Sequence, residues 1–260
     1  MLVLRPYETL SSMEKALTKE IRKRPGFQKI DGGCHAAASL QLSWVWVDTC
    51  CIDKRSSAEL SEAINSMWRC YEEASCCIVY LADVSASRDR QELRQSRCFT
   101  RSWTLQELIA PKRHEFYTSR WISIITTDKV SKVSAASGPN SSRAIRPGDV
   151  QPGDVTKAAG LPPEVMSELN AWRRFSVAQK LSWTARRSAT GMEDKAYALL
   201  GLFEINMPLL YGERRGAMAR LQREIIKGSA DESIFACSDS GKQESLERLY
   251  LVSACHGDHE

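Results

Sequence analysis

Glu107 is the first side chain to weigh for chemistry. It lies in "RSWTLQELIAP", Arg101 to Pro111, four residues after Trp103 in a short apolar run that stops at a proline. Two readings compete for it. In one, Thr104 and Glu107 ("TLQE") form a capping box at the start of a short helix, a feature that contributes on the order of 1 kcal/mol. In the other, helical spacing sets Glu107 beside the Trp103 ring. An apolar wall against a carboxylate raises its proton affinity and suits it to act as acid, base or electrostatic partner. Taken alone, the stretch favours the cap.

Asp48 and Asp53 flank the cysteine pair of "DTCCID". They read equally as loop aspartates bonding local amides or as the polar rim of a ligand cleft. Lys54 and Arg55 are adjacent cations of the kind usually found on solvated surface. The chain has nine cysteines, but the pairs "DTCCID" and "ASCCIV" lack C-x-x-C spacing and have no histidine nearby, so no metal site is expected. None of the four histidines, His35, His114, His256 and His259, stands in a nucleophile signature. His114 follows Pro111 and two basic residues, a loop or strand-edge context. There is no Walker loop and no G-x-G-x-x-G.

These side chains need elements to position them. Trp44–Val47 is a β-rich apolar run suited to a buried strand that ends at Asp48. Ser56 and Glu59 make a capping box that opens a helix, with Leu60, Ile64, Met67 and Tyr71 on one face. "CCIVYLADV" is a second buried-strand candidate, and "RHEFYTSRWISI" supplies a further strand. Alternating helices and strands favour a parallel sheet covered by helices. A ligand cleft at the carboxyl ends of such strands falls near Asp48–Lys54 and after Leu81.

Upstream, residues 12–41 read as one or two helices broken at Pro25-Gly26. The Ser/Gly/Pro-rich stretch 126–160, with "PGDV" twice, reads as a loop or linker. Residues 161–236 read as mainly helical. Thr190 and Glu193 form a capping box there, and "RRGAMARLQREIIKG" is an amphipathic helix with Gly228 as its C-terminal cap. "SIFACS" reads as a last short strand, and 237–260 as a tail. Net charge is +4, a mild excess that does not by itself imply nucleic acid. No secretory signal or membrane-length apolar run is seen, so the expectation is a cytoplasmic chain with free thiols and no membrane partner.

Several blocks, in order, resemble the HET domain of fungal heterokaryon-incompatibility proteins. They are "WVWVDTCCIDKRSSAELSEAINSMWRCYEEASCCIVYLADV", "FTRSWTLQELIAPK", "FSVAQKLSWTARRSATGMEDKAYALLGLFEINMPLLYGE" and "RLQREIIKGSADESIFA". The resemblance covers most of 26–236 and divides the chain into an atypical N-terminal segment (1–25), a HET core (26–125), the linker, the helical part and the tail. It implies a role in fungal non-self recognition and associated cell death, with incompatibility or signalling proteins, or a second copy, as partners. HET domains are distantly similar to TIR domains, which implies an α/β fold with a flavodoxin-like parallel sheet. In NAD-cleaving TIR domains the glutamate of a similar tryptophan-to-glutamate motif is catalytic. By position that residue is Glu107, with Trp103, Asp48 and Asp53 as candidates for binding NAD as substrate; no bound cofactor is implied. The family's opening strand, resembling "YAILSHTWG", has no counterpart in this sequence, leaving "MLVL" as a substitute or the first strand missing. Ser102 and Cys98 stand where the family has glycine and an aromatic. Those departures keep open a non-catalytic self-association module, and a truncated, non-functional copy.

Overall fold

The computed structural model describes residues 23–85, 89–130 and 150–235. "MLVL" and any pairing of the N-terminal segment as a strand, most of the Ser/Gly/Pro-rich stretch, and the tail lie outside the described residues.

Helix α1 (Pro25–Ser39) starts on its proline. The missing N–H and fixed φ of proline suit the first helical position. Cys34 and Ala37 are fully buried. Gly32 lets the helix meet Trp121 closely, because a Cβ there would fall 2.1 Å from the indole. Trp121 in turn stacks on Tyr80 at 4.5 Å.

Trp44–Val47 does not form the expected strand. Val45 makes a single β-bridge, Trp44 is half exposed, and the chain turns at once into the four-residue helix α2 (Asp48–Cys51). Asp48 at the first position suits the positive end of a helix better than the end of a strand.

Helix α3 (Ser57–Glu73) begins at the expected Ser56, which accepts from the Glu59 amide, but the capping box is only half formed, because the Glu59 carboxylate accepts from the Asp53 amide at 3.1 Å. Ile64, Met67 and Trp68 face the core, with Leu60 and Tyr71 packed at its margin. Strand β1 (Cys77–Tyr80) follows. Next come α4 (Arg90–Gln95), a 3-10 turn (Arg97–Thr100) and α5 (Thr104–Ile109). Strand β2 (Arg113–Tyr117) runs parallel to β1, pairing Cys77 with His114 and Val79 with Phe116. Strand β3 (Ser123–Asp128) then pairs antiparallel to β2. The fold is mixed α/β. Among the described residues the sheet has three strands in the order β1-β2-β3 and is mixed, where the TIR-like reading expected a parallel one. Thr118 makes the hairpin turn, its hydroxyl accepting from the amides of Arg120 and Ile122. So tight a return gives no room for a crossover helix.

The linker reading at 126–160 absorbed structure at both ends. β3 continues to Asp128, and the second "PGDV" opens α6 (Pro152–Ala159). Asp154 anchors α6 to α4 through Arg90 at 3.3 Å and Arg94 at 3.2 Å. Then come α7 (Pro163–Ser167), a 3-10 turn (Ala171–Arg174) and α8 (Val177–Ser182), the last opened by a Ser176/Gln179 capping box. Helix α9 (Asp194–Tyr197), the amphipathic α10 (Gly216–Gly228) and a 3-10 turn (Glu232–Phe235) complete the described chain. The turn stands where the sequence suggested a strand. The C-terminal cap of α10 is Ser229, one residue beyond the expected Gly228. The Thr190/Glu193 box does not form. Glu193 instead accepts from the amides of Gly212 and Arg214 at 2.8 Å each and fixes that loop.

One apolar core runs through both halves, from Ile52 to Ile234. Trp68 of α3 meets Trp172 edge-on at 4.9 Å. Gly201 lies so close that a Cβ would sit 2.1 Å from the Trp68 Cβ. Neither Cβ can swing away, so Gly201→Ala is expected to destabilise the fold by about 2 kcal/mol or more. Gly33→Ala, whose Cβ would meet only ordinary contact at 3.7 Å, is expected to be neutral or to stabilise by up to about 1 kcal/mol. Chemical denaturation of both variants checks this. Equal stabilities would mean the two halves are not seated on one another at Trp68.

Candidate active site

Helix α5 carries Glu107, and its first turn is not built as the sequence suggested. The residue before the helix is Trp103, itself helical at φ −62° and ψ −35°, with no side-chain cap. Thr104 therefore stands inside the helix. Its hydroxyl turns back to the carbonyls of Cys98 and Arg101 and accepts from Arg187 at 3.1 Å. The capping box is absent because both members are engaged elsewhere. The Glu107 carboxylate is bonded to the Tyr71 hydroxyl of α3.

Glu107 keeps some surface, yet protein encloses its carboxylate on most sides. Burial and then the negative charge of Asp48 push its pKa up to about 7. Arg101, Lys29 and the Tyr71 hydrogen bond oppose the shift. Burial raises Tyr71 well above its ordinary value, and the Glu107 charge adds to that. Tyr71 therefore stays protonated and donates to the carboxylate. Its ring meets Trp46 edge-on at 5.6 Å. The Trp46 Nε1 is buried without an acceptor.

Three nitrogen groups from other elements hold the main chain and first turn of α5. His114, fully buried, bonds through Nε2 to the Glu107 carbonyl at 3.1 Å and through Nδ1 to Thr127 Oγ1 at 3.1 Å. A carbonyl can only accept, so Nε2 carries the proton and Nδ1 accepts from the hydroxyl. Burial and the neighbouring Lys129 pull His114 down to about 3, which keeps it neutral. Lys129, after β3, donates to the Ile109 carbonyl at the end of α5. Burial pulls it down to about 7. Arg187, preceding Ser188 in the C-terminal part, donates to the Arg101 carbonyl at 3.0 Å, the Trp183 carbonyl at 3.2 Å and the Ala159 carbonyl at 3.0 Å.

The structure thus brings Asp48 to Glu107 and sets Trp103 at the head of α5, half-buried against the core. It does not bring Asp53. That carboxylate is engaged by Arg55, through the backbone amide at 3.0 Å and the guanidinium at 2.9 and 3.0 Å, in the loop leading to α3. No sequence motif marks Tyr71 or Arg187 as a site residue. Tyr71 reads as one residue of the α3 face, and nothing in the spacing around Arg187 distinguishes it. His114 is a buried strand residue rather than a strand-edge one. Cys34, Cys50, Cys51, Cys70, Cys76, Cys77 and Cys98 are all free thiols. Burial pushes Cys98, beside Glu107, up to about 12, and Cys77 well above its ordinary value. Neither is a ready nucleophile. Among the described residues, no three His, Cys, Asp or Glu side chains are grouped to hold a metal ion. No helix there is long and apolar enough to cross a membrane.

Comparison with known proteins places the chain. Residues 11–97 match the family model "Heterokaryon incompatibility protein (HET)". Over 213 residues the chain is 39% identical to vegetative incompatibility protein HET-E-1 of Podospora anserina. The chain carries a HET domain. The aligned part covers 78% of this chain and 14% of that relative, so the chain spans a small part of the curated protein it matches. No solved structure matches it. The HET family model stops at Arg97, short of Glu107. An alignment over 78% of the chain necessarily takes in both Glu107 and Arg187.

The electrostatics of Glu107 give a stability prediction with a definite sign. Its folded pKa of about 7 lies above the ordinary 4.5, so the folded state prefers the protonated form. Ionisation then costs stability progressively from about pH 4.5 to about pH 7. Glu107→Gln is expected to melt higher than wild type at pH 8, with the gap closing near pH 4.5. Thermal melts at both values check this. A variant that is less stable by the same margin at both would refute the enclosed, repelled carboxylate.

Proposed function

We propose that this HET domain acts in heterokaryon incompatibility and its associated cell death, and that its chemistry is TIR-like hydrolysis of the nicotinamide–ribose bond of NAD by Glu107. The observation that supports this reading is a carboxylate that is enclosed, repelled by Asp48 and left free of the cap its sequence offered. A side chain held at such a cost to stability is the kind found where charge develops in a reaction.

As nicotinamide leaves with the bonding electron pair, positive charge grows on the ribose ring. The Glu107 carboxylate stabilises it electrostatically. Water then adds to the anomeric carbon and releases a proton, so NAD and water give ADP-ribose, nicotinamide and a proton. Tyr71 orients the carboxylate by donating to it. Asp48 adds negative charge beside the developing cation, and Trp46 and Trp103 supply aromatic surface nearby. The names of the family and of the Podospora relative support incompatibility as the biological setting.

Purified protein is expected to deplete NAD, and Glu107→Gln to abolish depletion while still folding. The working form is the ionised carboxylate, so the rate should rise with pH through about 7 and level off above. NAD assays across pH check this. Equal loss of NAD with wild type and variant sinks the catalytic assignment. A wild-type protein that spares NAD yet arrests fungal growth would replace it with an association module.

A further inference from the structure

We infer that Arg187 is the positioning residue of the Glu107 site: its buried guanidinium ties the first turn of α5 to the C-terminal helical part and so fixes where the carboxylate stands. This rests on Glu107 being the working carboxylate.

The geometry carries the inference. Arg187 is 5% exposed, and no acidic side chain pairs with it among the described residues. Nη1 reaches two points at the head of α5, the Arg101 carbonyl at 3.0 Å and Thr104 Oγ1 at 3.1 Å. Nη2 reaches back to the Ala159 carbonyl at the end of α6 at 3.0 Å, and Nε to the Trp183 carbonyl at 3.2 Å. One planar group thus bridges three segments distant in sequence, which the fork of guanidinium donors allows and a lysine cannot reproduce. The backbone repeats the tie: Ser188 donates to Thr100 at 2.7 Å and Ser102 to Ser188 at 2.9 Å, around a parallel bridge between Arg101 and Ser188. Glu107 follows one helical turn after Thr104, so any slack at Arg187 moves the carboxylate.

The guanidinium also contributes charge. Burial lowers Arg187 to about 10, with Cys98 and Glu107 opposing the shift, so it remains a cation at neutral pH. The other groups facing Glu107 are Lys29 from α1, Asp48 from α2, Tyr71 from α3, Cys77 from β1, Cys98 from the 3-10 turn and Arg101.

The test reads Glu107 directly. Its side-chain carboxyl, carbon-13 labelled, is titrated by NMR in the full chain for wild type, Arg187→Gln and Arg187→Lys. The glutamine variant is expected to titrate at higher pH than the wild-type value of about 7. The lysine variant, which keeps the charge but not the fork of donors, should also titrate above wild type, and a full return to the wild-type midpoint would assign the effect to charge and overturn the positioning role. An unchanged midpoint in folded Arg187→Gln overturns the proposal. If that variant does not fold, Thr104→Val cuts the side-chain bond between the guanidinium and α5 with little change of shape. A raised midpoint, restored by Thr104→Ser, supports the proposal, and a wild-type midpoint overturns it. Where wild type consumes NAD, Arg187→Gln should lower kcat at least tenfold with KM within about twofold. A loss confined to KM counts against a positioning role. The titration stands whether or not NAD is the substrate, so failure of the catalytic reading and failure of this one are told apart.

Discussion

Helix α5 is too short to hold itself. It has six residues, and a lone helix of that length does not persist in water. With so few turns, most of its amides and carbonyls lack partners within the helix. The surrounding fold supplies them. Arg187 takes the Arg101 carbonyl, His114 the Glu107 carbonyl and Lys129 the Ile109 carbonyl. Each comes from a different element: the C-terminal part, β2 and the segment after β3. Remove His114 or Lys129 and a carbonyl of α5 loses its side-chain partner, at a cost of about 1–3 kcal/mol where it is left buried and unpaired, whereas the Arg101 carbonyl would keep the Thr104 hydroxyl. The placement of Glu107 is therefore a property of the whole described chain rather than of its own motif.

This explains what the sequence could and could not disclose. The long helices were readable because their burial follows a period: the face of α3 and that of α10 repeat every three or four residues, and Ser56 marks where α3 begins. β1 was readable as a compact apolar run. The error at Trp44–Val47 arose because composition suited a strand, while Asp48 and the residues after it start a helix at once. At α5 local rules misled. Thr104 and Glu107 have capping-box spacing, but Arg187 takes the threonine and Tyr71 the glutamate, and neither partner lies in the window that spacing inspects. Glu193 repeats the lesson, its carboxylate going to the amides of Gly212 and Arg214 instead of the expected cap. A cap worth about 1 kcal/mol is readily outbid by a buried contact made across the fold.

The extent of the folded unit follows from the same contacts. The HET family model ends at Arg97, but the site needs Glu107, and Glu107 needs β2, Lys129 and Arg187. Trp68 and Gly201 seat the two halves on one core. A fragment stopping before α6 would expose that core and leave the Arg101 and Thr104 contacts of the guanidinium unmet, so the smallest piece that keeps this core and these contacts reaches past Arg187.

One electrostatic detail joins the architecture to the chemistry. The buried basic side chains near α5 are directed at neutral oxygens: Lys129 at the Ile109 carbonyl, Arg187 at three carbonyls and a hydroxyl. Neither closes an ion pair with Glu107. Had one done so, the carboxylate would sit well below the ordinary range, and a neutralised carboxylate has little attraction left for a cation developing on a ligand. Instead Asp48 and burial hold it near 7, poised between forms at neutral pH. A cation arriving beside it would lower that value and favour the ionised form. The arrangement fixes the backbone of α5 with basic side chains and, among the described residues, leaves the Glu107 carboxylate outside any ion pair.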